Sequence, residues 1–310
     1  MDTLQSIEIR EKVIDAIRSF FKKQGFREVF TPILVPTPSI EPNLEVFETQ
    51  LRTSKGLKRR AFMIMSPEFS IKKLLAAGVG NCFEITKCFR NEEEVSRLHS
   101  PEFTMLEWYR VGANYLDVMK DFENLFLKIV GKNKMTYQGK AYDLSLPWTR
   151  ISVAEVFQKF AHKDVLKVKD EDFYKTFFNE IEPQLTRSKK PFFIYDYPVS
   201  QASLSRPKKE DPRFAERFEV FLAGIELGNC FSELIDWREQ KRRFEEEKAL
   251  RHAQHKTDYP IDEDLIKALK SGLPEVSGIA VGVDRLIMLA ANAPEISDTI
   301  VLPAQEIFKI

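Results

Sequence analysis

The stretch FRNEEEVSRLHSPEFTMLEWY, Phe89 to Tyr109, holds two strand ends and the polar loop between them. Cys82 to Phe89 reads as one strand and Phe103 to Val111 as the next, so the loop Asn91 to Ser100 closes a long antiparallel hairpin. Arg90, at the end of a rigid strand, presents a planar fork suited to a phosphate, and Phe103 across the loop offers a ring for a base to stack on. A single such arginine is more often an ion-paired surface residue, so the reading needs support elsewhere in the chain.

Two further segments supply it. In Gly282-Val283-Asp284-Arg285, a strand from Gly278 to Gly282 runs into a helix from Val283 to Ala291, which places Arg285 within reach of distal phosphates or of an adenine facing Phe103. Phe214 to Leu222 and Ile225 to Leu234 read as strands joined at Ala223-Gly224. That turn is expected to bring Glu219 and Glu226 into facing register, two carboxylates able to share a Mg²⁺ with ATP phosphates; solubilising charge is the plain alternative. Neither G-x-x-x-x-G-K-[ST] nor G-x-G-x-x-G occurs, so phosphate binding falls to arginines.

Outward from these segments, Ile9, Val13, Ile14, Ile17, Phe20 and Phe21 mark a helix over 7–24 that stops at Gly25. A strand Phe26 to Phe30 follows, ended by Pro32. A basic hairpin-like segment, Lys55 to Arg60, precedes the apolar run Ala61 to Met65, and Ser66 is placed to cap a helix over Pro67 to Ala77. Leu116 to Ile129 has helical apolar spacing, Ser152 and Glu155 form a capping-box pattern, and Phe192 to Tyr197 is a strand. A lysine- and acid-rich helical span at about 162–190 looks like an insertion off the main sheet, and a charged helix is expected over about 236–252. Strands joined by short connections, with helices between and outside them, make an α+β fold in a single domain spanning 1–310.

Composition narrows the function classes. Lysine plus arginine and aspartate plus glutamate number 47 each, so no global field attracts nucleic acid or an anionic membrane. The N-terminus lacks a basic start with an apolar block, and no apolar run approaches a membrane span, which predicts a cytoplasmic protein. Cys82, Cys88 and Cys230 show no C-x-x-C spacing and read as small buried residues; the four histidines form no H-E-x-x-H pair, so any metal is expected on carboxylates.

Taken together, Gly25 to Pro32, Phe89 to Glu107 and Ser277 to Leu289 resemble motifs 1, 2 and 3 of the class II aminoacyl-tRNA synthetases. FRNEEEVSRLHSPEFTMLEWY and ELGNCFSELID, Glu226 to Asp236, resemble the lysyl branch more narrowly, and the likeness runs from about residue 7 to 304. Only about six residues precede the first helix, too few for the five-stranded anticodon-reading OB-fold of lysyl-tRNA synthetases. The chain is therefore similar to the truncated paralogs of those enzymes that attach β-lysine to a lysine of elongation factor P. Phe47 to Gln50, Pro198 to Leu204 and SGIAVGVDRL, Ser277 to Leu286, fit that group.

The resemblance implies roles by position. Glu68 would take the substrate's backbone-side amine, Arg90 and Asn229 its carboxylate, and Glu107, Tyr109 and Glu233 its side-chain ammonium. Arg90, Glu92, His99, Phe103, Glu226 and Arg285 would hold ATP, with Arg90 and Arg285 catalytic, and Glu219 and Glu226 would hold Mg²⁺. Ala280 stands where lysyl-tRNA synthetases have Gly and would bias selection between α- and β-lysine. Asn229-Cys230-Phe231 departs from the family's Asn-Gly-Phe, putting a side chain next to the presumed carboxylate ligand.

The implied reaction is attack of the amino-acid carboxylate on the α-phosphorus of ATP, then transfer of the acyl group to a lysine ε-amine of elongation factor P. Lys55, Lys58, Arg59, Arg60, Lys208 and Lys209 are candidate docking points for that acceptor, with plain charged surface as the alternative. A homodimer through the first helix and the Phe26 to Pro32 strand is implied, with tRNA not expected as a partner. Two other readings remain distinct: a minimal lysyl-tRNA synthetase, and an inactive regulatory paralog, against which retention of Arg90, Glu219, Glu226 and Arg285 argues.

Overall fold

Val13, Ile17 and Phe21 recur every four residues and bury completely or nearly so, which commits the first helix to a sheet face. The Phe21 ring packs 5.0 Å from both Phe83 and Trp108, and burying a ring of this size contributes about 1.5–3 kcal/mol. The computed structural model describes residues 3–41, 44–92, 94–202 and 204–309. Of the segments singled out above, Glu93 in the loop and Ser203 in Pro198 to Leu204 lie outside the described residues.

In chain order the strands are β1 (Arg27–Glu28), β2 (Leu34–Val35), β3 (Glu48–Arg52), β4 (Lys58–Met63), β5 (Cys82–Phe89), β6 (Glu102–Val111), β7 (Lys134–Tyr137), β8 (Lys140–Asp143), β9 (Thr149–Ser152), β10 (Phe192–Pro198), β11 (Phe214–Leu222), β12 (Ile225–Ser232) and β13 (Val276–Gly282). The helices are α1 (Thr3–Lys23), α2 (Glu68–Ala76), α3 (Tyr115–Val130), α4 (Val153–Val156), α5 (Asp170–Thr176), α6 (Glu182–Leu185), α7 (Trp237–Ala253), α8 (Glu263–Gly272), α9 (Val283–Ala290) and α10 (Ala304–Phe308).

The main sheet has eight strands in the order β1-β5-β6-β13-β12-β11-β10-β9. Its interior pairs are antiparallel, and only the edge strands β1 and β9 pair in parallel. The Phe26 to Phe30 segment pairs only over Arg27 and Glu28, since the chain leaves the sheet before Pro32. A smaller sheet, β2-β4-β3, lies beside it.

Local chemistry sets the boundaries. Asn114 and Asp117 form a capping box at the start of α3, and Gly131 ends it with φ 73°, a left-handed conformation that glycine adopts without a Cβ clash. Ser152 and Glu155 make the second capping box. Ala223 and Gly224 both have positive φ, 57° and 74°, as a two-residue hairpin turn of type I′ requires.

One face of the sheet, with Phe83, Trp108, Phe218 and Ile279, packs against α1, α3 and α9 in the largest apolar cluster. The helical span within about 162–190 is not set apart from the sheet: Phe173, Phe177 and Ile181 pack on Phe192, Ile194 and Phe221 of β10 and β11. The other face of the central strands stays open, bordered by α2, α7 and α8. Asp284 ties the layers together, since its carboxylate accepts from the Thr104 N–H and pairs with Arg10 of α1. Among the described residues no helix is long and apolar enough to cross a membrane.

Candidate active site

Strand register alone lines up most of the acidic chemistry. Glu84 on β5 faces Glu107 on β6, which faces Ala280 on β13, then Asn229 on β12, then Glu219 on β11. Side chains alternate along a strand, so partners in one row share one face. Two residues along, the row Cys82, Tyr109, Gly278, Phe231 and Arg217 lies on that same face. Against it opens a cavity of about 230 Å³, to which Ser66, Glu68, Arg90, Asn229, Ala280 and Arg285 all contribute.

Ser66 and Glu68 of the cavity wall lead to a group of buried carboxylates. Glu107, Tyr109 and Glu233 are each 2% exposed or less. The Ser66 hydroxyl donates to Glu107 Oε1 at 2.5 Å and accepts from the Glu68 N–H at 3.0 Å, while the Tyr109 hydroxyl donates to Glu107 Oε2 at 3.0 Å. Ser66 is not the N-cap of α2, which is Pro67, against the sequence expectation; its hydroxyl takes the Glu68 N–H at the helix start and fixes the orientation of Glu107. Burial, and then the charge of Glu68, push the Glu107 carboxyl up to about 8. Burial likewise raises Glu233 to about 8, although Lys72 opposes it.

Lys72 is the residue that sequence reasoning missed here. Its ammonium, 1% exposed, lies 2.6 Å from Glu68 Oε1 and 2.6 Å from Glu233 Oε2. Burial alone would depress its pKa, yet Glu233 and Glu68 outweigh that and hold it above the ordinary lysine value. The available signal was a lysine four residues after Glu68 inside the apolar run Ile71 to Leu75.

The outer end suits a nucleotide. The Arg90 guanidinium sits 5.2 Å over the Phe103 ring, two groups brought together from the ends of β5 and β6. Arg285 donates to the Glu226 carbonyl at 2.7 Å and to His99 Nε2 at 3.0 Å. Since a guanidinium only donates, His99 accepts at Nε2, which leaves its Nδ1 to carry the proton toward Ser96 Oγ, 3.0 Å away. Glu92 is exposed, with φ 57°, and does not line the cavity.

The hairpin β11–β12 requires a correction. Glu219 does not face Glu226: the two-residue turn at Ala223-Gly224 pairs Glu226 with Phe221, and a bulge between Val220 and Phe221 then sets Glu219 opposite Asn229. Arg217, also missed from sequence, donates to Glu219 at 2.7 Å and to Asn229 Oδ1 at 3.2 Å, and lies 4.3 Å over the Tyr197 ring. Burial nevertheless raises the Glu219 pKa, with Glu226 adding to the effect. Among the described residues no group of three or more His, Cys, Asp or Glu side chains converges as a metal cage. Glu219 and Glu226 are hard oxygen donors of the kind Mg²⁺ takes; Glu226 lines the cavity and Glu219 is paired with Arg217.

Cys230 does not crowd Asn229. It faces Phe218 and Ile279 on the core side of the sheet and is completely buried there, since adjacent residues of a strand point to opposite faces. All three cysteines are free and buried.

The family described as tRNA synthetases class II (D, K and N) matches residues 2–306. The elongation factor P--(R)-beta-lysine ligase of Proteus mirabilis (strain HI4320) is 40% identical over 308 residues, covering 95% of this chain and 93% of that protein. Proteins of the same name from Pectobacterium carotovorum subsp. carotovorum (strain PC1) and Vibrio vulnificus (strain YJ016) are 40% and 37% identical, covering 94% and 97% of this chain and 92% and 96% of theirs.

Proposed function

The chain belongs to the class II (D, K and N) tRNA synthetase family, and from that premise we propose that it is an ATP-dependent ligase that activates (R)-β-lysine and transfers it to a lysine of elongation factor P. The observation that carries this reading is the cavity whose wall holds Arg90, Phe103 and Arg285 together with Ser66 and Glu68, which connect it to the buried Glu107, Tyr109 and Glu233. A substrate with ammonium groups finds paired acids there, and its carboxylate reaches the arginines. A buried ammonium is otherwise too costly to hold.

In the first step the β-lysine carboxylate oxygen attacks the α-phosphorus of ATP in line and pyrophosphate leaves. Arg90 is the fixed charge beside the reacting phosphoryl, Arg285 holds the nucleotide, and Asn229, oriented by Arg217, fixes the carboxylate. Glu226 and Glu219 would hold Mg²⁺, which when bound offsets phosphate charge. In the second step the acceptor ε-amine attacks the acyl carbonyl, loses its proton and displaces AMP. No enzyme nucleophile takes part, and the buried cysteines, with pKa values raised by burial, are unsuited to be one.

The same reading takes the chain as one catalytic unit acting in the cytoplasm, in a symmetric dimer formed by α1 and the strand after it. Phe30, 77% exposed, and Leu4, 66% exposed, give that surface its apolar character. The test is pyrophosphate exchange with (R)-β-lysine against α-lysine, followed by transfer of labelled β-lysine to elongation factor P or to tRNA. Exchange with β-lysine and labelling of the protein acceptor are expected; no exchange, or label on tRNA alone, overturns the reading.

A further inference from the structure

Lys72 takes no part in the roles assigned so far, yet it is as fully buried as Glu107 and Glu233. It rises from α2 one turn beyond Glu68, and its ammonium touches both Glu68 and Glu233, each at 2.6 Å. Glu107 comes from β6 on the far side and is held instead by Ser66 and Tyr109. Glu68, Glu107 and Glu233 therefore converge, Glu41 and Glu247 line the same cavity, and Lys72 pairs with two of these acids.

We infer that Lys72 is the charge-setting and positioning residue of this pocket. By bridging Glu68 and Glu233 it fixes the geometry of both acids and holds positive charge within an acidic group that a substrate with ammonium groups must enter. The inference rests on the proposed activity for the identity of that substrate. A structural lysine at a helix surface would need neither complete burial nor two carboxylate partners, one of which lines the cavity. The two acids are more than 160 residues apart in the chain, so the bridge also locks α2 to the end of β12. Neither the buried apolar face of α2 nor its caps depend on Lys72.

Pyrophosphate exchange separates the possibilities, with KM read for β-lysine and for ATP on Lys72→Met and Lys72→Arg. Lys72→Met is expected to raise the β-lysine KM at least tenfold while the ATP KM stays within twofold. An unchanged β-lysine KM, or an equal rise for both substrates, overturns the inference. Should Lys72→Met not fold, Lys72→Arg decides: its planar fork cannot occupy the same point between two acids, so a selective rise in the β-lysine KM is expected and a wild-type value overturns the idea. Absence of exchange in the wild-type protein would instead remove the proposed activity, a separate outcome.

Discussion

The ring of Tyr109 lies flat across Gly278, its cross-strand partner, so closely that a Cβ on Gly278 would overlap three ring carbons. The ring is fully enclosed and its hydroxyl reaches Glu107, so it cannot step aside without breaking that bond. Gly278→Ala is therefore expected to raise the β-lysine KM tenfold or more and to cost about 1–3 kcal/mol of stability, as overpacking does. Exchange kinetics and denaturant unfolding check both parts. An unaltered KM would show that the tyrosine is not held by this contact.

Burial raises Glu107, Glu233 and Glu247 to about 8, helped by Glu68 at Glu107, opposed by Lys72 at Glu233, and helped by Glu41 at Glu247. A carboxyl whose pKa rises on folding keeps its proton more tightly in the native state. The stability it contributes is then complete below its unfolded value near pH 4 and lost as pH climbs toward 8. The ligand-free protein should show a Tm that declines between pH 5 and pH 8, with a slope of at most about 1.4 kcal/mol per pH unit for each proton involved. Bound β-lysine favours the ionised acids and should flatten the decline, as should Glu107→Gln. A Tm independent of pH over that window would refute the assignment.

Ala280 occupies the ladder position between Glu107 and Asn229, the groups placed at the two ends of the substrate. Removing its methyl should shift discrimination toward α-lysine by about 1–3 kcal/mol, measured as the ratio of kcat/KM for α- and β-lysine in Ala280→Gly. A constant ratio would take Ala280 out of the specificity argument.

Asp284, 1% exposed, accepts from Thr104 N–H and Arg10 where α1, β6 and α9 meet. Asp284→Ala would leave the buried Thr104 amide unpaired, while Arg10 keeps Thr299 O and Thr104 Oγ1, a loss of about 1–3 kcal/mol. Urea unfolding should show the midpoint fall accordingly; a shift below about 1 kcal/mol would mean that water replaces the carboxylate.

Much of this arrangement was legible from local patterns. Helical spacing located α1, α3 and α9, and alternation located β5, β6, β10, β11 and β12, because their periods of hydrophobicity follow from the one face each element buries. The β7–β8 hairpin and α8 went unseen: the strands are four residues long, and the apolar stripe of α8, Leu265, Ile266 and Leu269, is short and interrupted by charge. The two motif arginines and Phe103 were found because their spacing within strand ends carries the chemistry.

By itself the sequence determined which residues bear charge and which strands present them, since both depend on neighbours a few positions apart. Only the tertiary structure decided that Glu219 faces Asn229 rather than the Gly228 that the turn alone would set opposite it, that Cys230 turns to the core, and that Lys72 bridges Glu68 to Glu233. A single-residue bulge resets a register without any periodic signature, and an ion pair between distant segments exists only once the chain has brought them together.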